Sequence, residues 1–243
     1  MSYSVNTAKH TTQPCAIKDN TLSWSIPWIV TGCFLVLLGS AIRIWLYSSA
    51  LPLRIDEIRL ALNIIDRSYI GLLEPLDHKQ GAPLAFLFAS KLIVGLVGAN
   101  ALTYRILPML CGIAGLCVFG LTARRHLHPV GVIFALAVVS LSPHLIQRAA
   151  DFKQYSSDFL MTSAMLLVAL PWLNGYRTLG CWVALTCVGS LCLLISHPGV
   201  FYVAAVGLVW LIDLIATSKK EGLIKVCGDV GNLAARPFAG VLV

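Results

Sequence analysis

Two adjacent acidic residues, Asp56 and Glu57, follow the first long apolar stretch of the chain, in the segment LPLRIDEIRL. A carboxylate in this place has two chemical uses. As a general base it can accept a proton from an attacking hydroxyl group. In the first turn of a helix it can satisfy free backbone amides and the helix dipole, and Asp56 can also pair with Arg59 at i+3. The bare sequence leaves both interpretations open.

The composition predicts an integral membrane protein. Hydrophobic residues make up 58% of the 243 residues and charged residues only 12%, and the mean hydropathy is +0.81. Soluble domains carry about twice that share of charge, roughly a quarter of their residues. The net charge of +7 comes from basic residues scattered between apolar segments, which favours membrane topology over nucleic-acid binding. The eight cysteines include no Cys-x-x-Cys pair, so neither a zinc site nor a disulfide framework is indicated.

Six apolar runs are long enough to cross a bilayer, although several lie near the lower limit of about 17 residues. We predict a polar cytoplasmic segment over residues 1–25, a membrane domain over 26–216 and a cytoplasmic tail over 217–243. The fold class expected is all-α and polytopic. The predicted spans are Ile26–Tyr47, Ile106–Ala123, Val130–Ile146, Phe159–Leu173, Thr178–Ser196 and Val200–Ala216.

The outer loop over residues 48–105 is expected to hold interfacial helices. Pro83–Val97 is apolar but short and carries Lys91 near its middle, which favours a helix lying in the membrane interface with Lys91 reaching water. A short tilted span is the alternative. Before it, apolar residues lie on one helical face after the acid pair and predict a second interfacial helix. Those positions are Ile55, Ile58, Leu62 and Ile65.

The distribution of basic residues predicts a cytoplasmic amino terminus. Several cations follow the even-numbered spans, and cytoplasmic loops carry the excess of Lys and Arg. The spans themselves hold almost no charge at mid-bilayer depth, because Arg43 and Asp213 lie near span ends. This counts against an ion-coupled transporter, which needs ionisable groups within its bundle. The orienting cations are Arg124, Arg125, Arg177, Lys219, Lys220 and Lys225.

An ordered series of short motifs over about residues 26–216 resembles the GT-C glycosyltransferases. The series is the Asp-Glu pair, a His or Gln with a Pro before an interfacial helix, a Gly, Tyr-Arg and Leu-Pro opening a span, and the FKQYSSD loop. Within that fold it is most similar to the bacterial branch related to protein mannosyltransferases and the lipid A aminoarabinose transferase. Their order and loop placement, more than any one motif, carry the resemblance.

The resemblance implies transfer of a sugar from a polyprenyl-phosphate carrier to a lipid, glycan or protein acceptor at the outer face of the cell membrane. The family's catalytic carboxylate falls on Asp56, which would act as general base. Glu57 would orient the acceptor or pair with a cation. Family members of this branch generally work without a metal, so no cofactor is expected, although the outer acids leave a divalent cation open.

A departing carrier phosphate would explain the cations in the outer loops, since phosphate is bound by Lys, Arg or His. The candidates are Lys79, Arg148 and Lys153, with His78 as a second donor. Each has an alternative in headgroup contact or a local ion pair, such as Lys153 with Asp151. Tyr155 is a candidate donor-binding residue or an interface anchor.

The family usually continues through further spans, so the chain is expected to correspond to the amino-terminal half of such an enzyme, with catalysis by this chain alone left open. Two other classes remain. A carrier or flippase for a lipid-linked sugar would need the cations but not Asp56. A non-catalytic membrane scaffold would need neither.

Overall fold

The computed structural model describes residues 25–175, 178–212 and 214–215. These residues fold entirely as helices and connecting loops, which confirms the predicted all-α class. The predicted segment 1–25, apart from Ser25, and the tail 217–243 lie outside the described residues, as do Asp213 and Arg177.

Helices of very different length follow one another along the chain. Short 3-10 turns at Gly71–Leu73 and Asp77–Lys79 connect the second helix to the third. The helices are α1 Ile26–Ser48, α2 Ile55–Asp66, α3 Leu84–Val97, α4 Ala101–His126, α5 Pro129–Leu141, α6 Pro143–Ala150, α7 Tyr155–Leu173, α8 Leu179–Ile195 and α9 Gly199–Ile212.

Three of the described helices, α1, α4 and α7, are long and apolar enough to cross a membrane, and a fourth span results if α5 and α6 count as one. The helices α3, α8 and α9 are apolar but shorter. The chain is thus consistent with a multi-pass membrane protein. A total of six spans stays a prediction.

The predicted span Val130–Ile146 is interrupted, because α5 and α6 are separated at Ser142 and bent by 48°. Pro143 causes the break, since it has no N–H to donate to the carbonyl of Val139 and its ring displaces that carbonyl. The fully buried guanidinium of Arg43 in α1 supplies hydrogen-bond donors to the carbonyl groups at this break. It donates to the carbonyl oxygens of Val139, at 3.2 Å, and Ser140, at 3.2 Å.

Small residues bring the long helices together. A Cβ on Gly39 of α1 would lie 2.8 Å from the Cβ of Ser140, and one on Gly115 of α4 would lie 2.6 Å from the ring of Phe159. Close backbone approach of this kind is how helices pack in membranes, where burial of apolar surface gives little drive. The result is α4 packed between α1, α5 and α7.

The bundle has two chemically different ends. Arg105, near the start of α4, donates to the carbonyls of Leu51 and Pro52 just after α1, so these elements share one end. Every acidic residue of the described part lies in the segments 56–77 and 151–158, which belong to this end. We call it the polar end. The opposite end of α4 carries Arg124, Arg125 and His126, and we call it the basic end.

The helix predicted from the apolar positions after the acid pair is present as α2, but it packs on the protein through another face. Leu60, Ala61 and Ile64 are buried, and burial of each large side chain contributes about 1.5–3 kcal/mol. The predicted apolar face is exposed and thus accessible to lipid. It comprises Ile55, Ile58, Leu62 and Ile65.

Lys91 of α3 is half-buried and makes a contact that the sequence did not predict. Its Nζ donates to the carbonyl oxygen of Ile64 at 2.8 Å and lies 5.6 Å from the ring centre of Tyr69. The last carbonyls of α2 lack intrahelical donors, and a cation also suits the negative end of the helix dipole. Lys91 therefore joins α3 to α2.

Candidate active site at the polar end

Glu57 lies in the first turn of α2 and is buried, with only 1% of its side chain exposed. Its Oε2 accepts the backbone N–H of Arg54, the residue before the helix, at 2.8 Å. The Nη2 of Arg105, itself 4% exposed, donates to the same oxygen at 3.0 Å. Glu57 therefore has both the helix-capping role and the cation partner that the sequence left open. We call Glu57 and Arg105 the buried pair.

The buried pair also fixes the loop between α6 and α7. The backbone N–H of Phe152 donates to Glu57 Oε1. The Phe152 ring is fully buried and packs on Tyr104 of α4, with centroids 5.1 Å apart, and on Phe86 of α3, at 5.9 Å. One carboxylate thus links α2, α4 and the 151–153 segment, which sets where the neighbouring charged side chains stand.

Asp56, one residue earlier, points away from this interior and keeps 46% of its side chain exposed. Its Oδ2 lies 3.6 Å from Nζ of Lys153, and its Oδ1 lies 3.8 Å from Nε of Arg54. The pairing with Arg59, which the sequence allowed, is not the one formed, because Asp56 pairs with these two cations. A side chain that faces water beside two cations can meet a polar ligand without first losing a buried contact.

Asp151 lies next to Asp56 on this surface and pairs with two cations, Arg54 and Arg148. Its Oδ2 lies 3.6 Å from Nη1 of Arg54 and 3.1 Å from Nη1 of Arg148. The guanidinium of Arg148 lies 4.3 Å from the ring centre of Tyr155. A local ion pair, the alternative considered for Arg148, is thus present. We call Asp56, Arg54, Asp151, Arg148 and Lys153 the open cluster.

Burial is the main cause that raises the pKa of Asp151, and the nearby Glu57 carboxylate raises it further. The cations Arg54 and Arg148 act in the opposite direction without cancelling the effect. Burial thus disfavours the ionised form of Asp151.

Lys153 is held over Asp56 by a residue from the other side of the site. Its Nζ donates to Oε1 of Gln80 at 2.8 Å, and only 12% of the Lys153 side chain is exposed. The suggested pairing of Lys153 with Asp151 is wrong, since the ammonium group faces Asp56 and Gln80. The structure brings the α6–α7 loop, the start of α2 and the segment before α3 together at this point.

His78 and Lys79 are not part of this arrangement. Both have left-handed backbone conformations, with φ of 59° and 56°, and both are exposed. Among the described ion pairs, the one in this turn joins Asp77 to Arg67, at 3.0 Å. Gln80, directly after them, contacts Lys153 in their place.

The predicted residues Asp56, Arg148, Lys153 and Tyr155 thus belong to one surface, with Glu57 beneath it. Sequence reasoning missed Arg54, Gln80 and Arg105. Arg54 adjoins the acid pair and Arg105 is the Arg of the Tyr-Arg motif, so both stood within segments already singled out. Gln80 is the Gln of the motif before the interfacial helix, but its contact with Lys153 was not predicted, because an uncharged side chain reveals its partner only through the fold.

Within the described part of the chain, no group of three or more His, Cys, Asp or Glu side chains is arranged to hold a metal ion. Comparison of the chain with protein-family models, with curated proteins and with solved structures finds no match. An assignment of function therefore depends on the motifs of the sequence and on the chemistry of the open cluster.

Proposed function

We propose that this chain acts in glycosyl transfer at a membrane, moving a sugar from a polyprenyl-phosphate donor to an acceptor hydroxyl group, with Asp56 as general base. The sequence motifs suggest this class of reaction. The observation that carries the proposal is the position of Asp56: a half-exposed carboxylate held between Arg54 and Lys153, on a helix anchored from below by the buried pair.

In the proposed step, the acceptor oxygen bonds to the anomeric carbon of the donor sugar while the bond from that carbon to the phosphate oxygen breaks. The acceptor proton passes to the Asp56 carboxylate. The electron pair of the broken bond leaves with polyprenyl phosphate. No net charge is created or lost, but negative charge moves from the carboxylate to the phosphate.

The cations of the open cluster suit that movement of charge. Lys153 and Arg54 are both within 4 Å of Asp56, so a phosphate bound beside the carboxylate would meet an ammonium and a guanidinium group. Arg148 adds a third cation along the same surface. Preorganised cations stabilise a leaving group most when they need not move during the reaction, and Gln80 and Tyr155 hold two of them.

Glu57 has a different role in this proposal. Both of its oxygens accept protein donors and its side chain is buried, so it has no access to an acceptor. We assign it, with Arg105, to positioning: the buried pair fixes the start of α2 and thereby the place of Asp56.

A radiolabelled-sugar transfer assay with polyprenyl-phosphate donors tests the proposal. Asp56→Asn keeps the shape of the side chain but cannot accept the proton, and general-base catalysis contributes about 10²–10⁴-fold, so a loss of at least about 100-fold is expected. Asp77→Asn is the matched control, because Asp77 is an exposed acid of the same end that pairs with Arg67. Transfer by Asp56→Asn at the wild-type rate would exclude Asp56 as the base.

Donor binding separates transfer from carriage. Asp56→Asn is expected to retain polyprenyl-phosphate binding, whereas Lys153→Gln is expected to weaken it, since the cation contributes to phosphate affinity. If wild-type protein binds the donor but shows no transfer with any acceptor, a carrier for lipid-linked sugars becomes the better assignment.

The proposed orientation places the polar end outside the cell and the amino terminus in the cytoplasm. Single cysteines at positions 56 and 153, in a chain whose own cysteines are replaced, are expected to react with an impermeant maleimide added to intact cells. Labelling only after the cells are opened would reverse the orientation and exclude an outer active site.

A further inference from the structure

A second polar site lies where the start of α7 meets the turn between α8 and α9. Asp158 is in the first turn of α7, one of the helices long and apolar enough to cross a membrane. Its Oδ1 is enclosed by protein and accepts no hydrogen bond from any described residue. An ionisable side chain in a membrane helix is costly to keep there and generally marks a functional site. The Asp158 carboxylate therefore has room for a partner that the described side chains do not supply.

A second enclosed oxygen belongs to Gln154, four residues before Asp158. The backbone N–H of Asp158 donates to the Gln154 carbonyl at 3.0 Å, so the two side chains lie on one face of the helix. Oε1 of Gln154 also lacks a hydrogen-bond partner among the described residues. A carboxylate oxygen and an amide oxygen are both acceptors, so neither can satisfy the other.

The third oxygen comes from Ser196, the residue that caps the end of α8. Its side chain is fully buried, and its Oγ lies near the Asp158 carboxylate without reaching hydrogen-bond geometry to any described residue. The last carbonyl groups of a helix lack intrahelical donors, and the helix dipole is negative there. This negative end of α8 offsets the positive amino-terminal end of α7. Carboxylate, amide and hydroxyl oxygens thus lie together between the two helix ends.

His197 is the nearest cationic candidate, but it does not fill the site. It is exposed in the α8–α9 turn and acts on Asp158 through its charge. None of the ion pairs in the described part of the chain joins the two residues. His197 therefore leaves Oδ1 of Asp158 without a bonded donor.

We propose that this site binds a sodium ion. Its donors are hard oxygen atoms, which suit alkali and alkaline-earth ions better than transition metals. The described residues give it one carboxylate, which balances one positive charge, whereas calcium sites usually hold several. Helix ends at membrane depth also coordinate Na⁺ in transporters. The ion would join the first turn of α7 to the end of α8. The site is independent of the transferase proposal, because it uses none of the residues of the open cluster.

Binding of radioactive sodium by the purified full chain in detergent tests the site, with choline chloride keeping the ionic strength constant. The wild type is expected to bind one Na⁺ saturably. Asp158→Asn keeps the shape of the side chain but removes its charge, so the affinity is expected to fall about tenfold or more. Asp66→Asn is the matched control and should bind as the wild type does, because Asp66 is an exposed acid at the same end of the bundle.

Ser196→Ala gives a second measure in which the charge of the site is unchanged. It removes one oxygen ligand and is expected to lower the affinity for Na⁺ about fivefold, the equivalent of one ordinary hydrogen bond. Ser140→Ala is the matched control and should keep the wild-type affinity. Ser140 is also fully buried and its Oγ has no partner among the described residues, but it packs against Gly39 of α1.

Four results would overturn the proposal. Absence of saturable sodium binding by the wild type would exclude the ion, and wild-type affinity in Asp158→Asn would place it elsewhere. Equal losses in Ser196→Ala and Ser140→Ala would indicate a general loosening of the fold. Displacement of bound Na⁺ by a lower concentration of K⁺ or Ca²⁺ would assign the site to the competing ion.

Discussion

Asp56 and Glu57 are neighbours in the chain, but the fold assigns them to two clusters of opposite character. The buried pair of Glu57 and Arg105 has its charges enclosed and its hydrogen bonds met by protein groups. The ion pairs of the open cluster around Asp56 are longer, from 3.1 to 3.8 Å against 3.0 Å in the buried pair, and part of the cluster's surface is exposed to water. Enclosed charges are costly to disturb and suit positioning, whereas water-facing charges can exchange partners and suit ligand binding.

Removal of one member of the buried pair should have the largest effect on stability. Glu57→Ala leaves the Arg105 guanidinium buried without its carboxylate and frees the N–H groups of Arg54 and Phe152, at a cost of about 3–5 kcal/mol. Thermal unfolding in detergent measures this. Glu74→Ala is the control, because Glu74 is an exposed acid in the segment between α2 and α3. Equal unfolding temperatures for the two variants would contradict the assignment of Glu57 to positioning.

Arg43 extends the comparison to a buried cation whose hydrogen bonds go to carbonyl oxygens. Arg43→Met keeps much of the apolar volume but leaves the carbonyls of Val139 and Ser140 without donors, for which we expect a loss of about 1–3 kcal/mol. The same unfolding assay applies, with Arg59→Met at an exposed arginine as control. A stability equal to that of the control would mean that the α5–α6 break is satisfied in another way.

Asp56→Asn should separate stability from activity. Because Asp56 is half-exposed, its ion pairs contribute no more than about 1 kcal/mol to folding. We expect an unfolding temperature close to that of the wild type together with the loss of glycosyl transfer described above. Marked destabilisation by this substitution would show that Asp56 stabilises the fold as the buried pair does, and would contradict the distinction between the two clusters.

Substitution of Asp151 should have the smallest effect on folding stability, and this effect should depend on pH. Its pKa is raised in the folded chain, so the folded state holds the proton more tightly than the unfolded one. This contribution to stability is present below the ordinary carboxylate pKa of about 4 and is lost as the pH rises through the raised value. Asp151→Asn should therefore gain stability relative to the wild type as the pH rises from about 4 through the raised pKa. A relative loss over that range would show that the pairs with Arg54 and Arg148 outweigh burial.

The sequence predicted the helical class and most helix positions, because apolar runs and the i, i+3, i+4 pattern act locally. It placed a helix over 83–97, which is observed over Leu84–Val97, and the helix after the acid pair. It did not predict which face of α2 is buried, since Leu60 and Ile64 and the exposed Ile58 and Ile65 are equally apolar. The break at Ser142 was signalled by Pro143 but was hidden within a run long enough for one span.

The candidate site was predicted in part. Charge in the loops of a largely apolar chain identified Asp56, Arg148 and Lys153. The structure places these three residues on one surface. Lys79 and His78 had the same signal, yet they lie outside the ion network of the described residues. The sequence does not distinguish the cations that join the open cluster from those that do not, because a cation in a loop can reach many different partners.

By itself the sequence determined that the chain forms apolar helices separated by charged loops, since hydropathy and helical periodicity depend on neighbours along the chain. The tertiary structure decided which acid is enclosed and which faces water. That choice depends on Phe152 and Arg105, which lie 95 and 48 residues from Glu57 and meet it only when α2, α4 and the α6–α7 loop pack together. Burial of a charge requires partners from several elements at once, and only the fold supplies them.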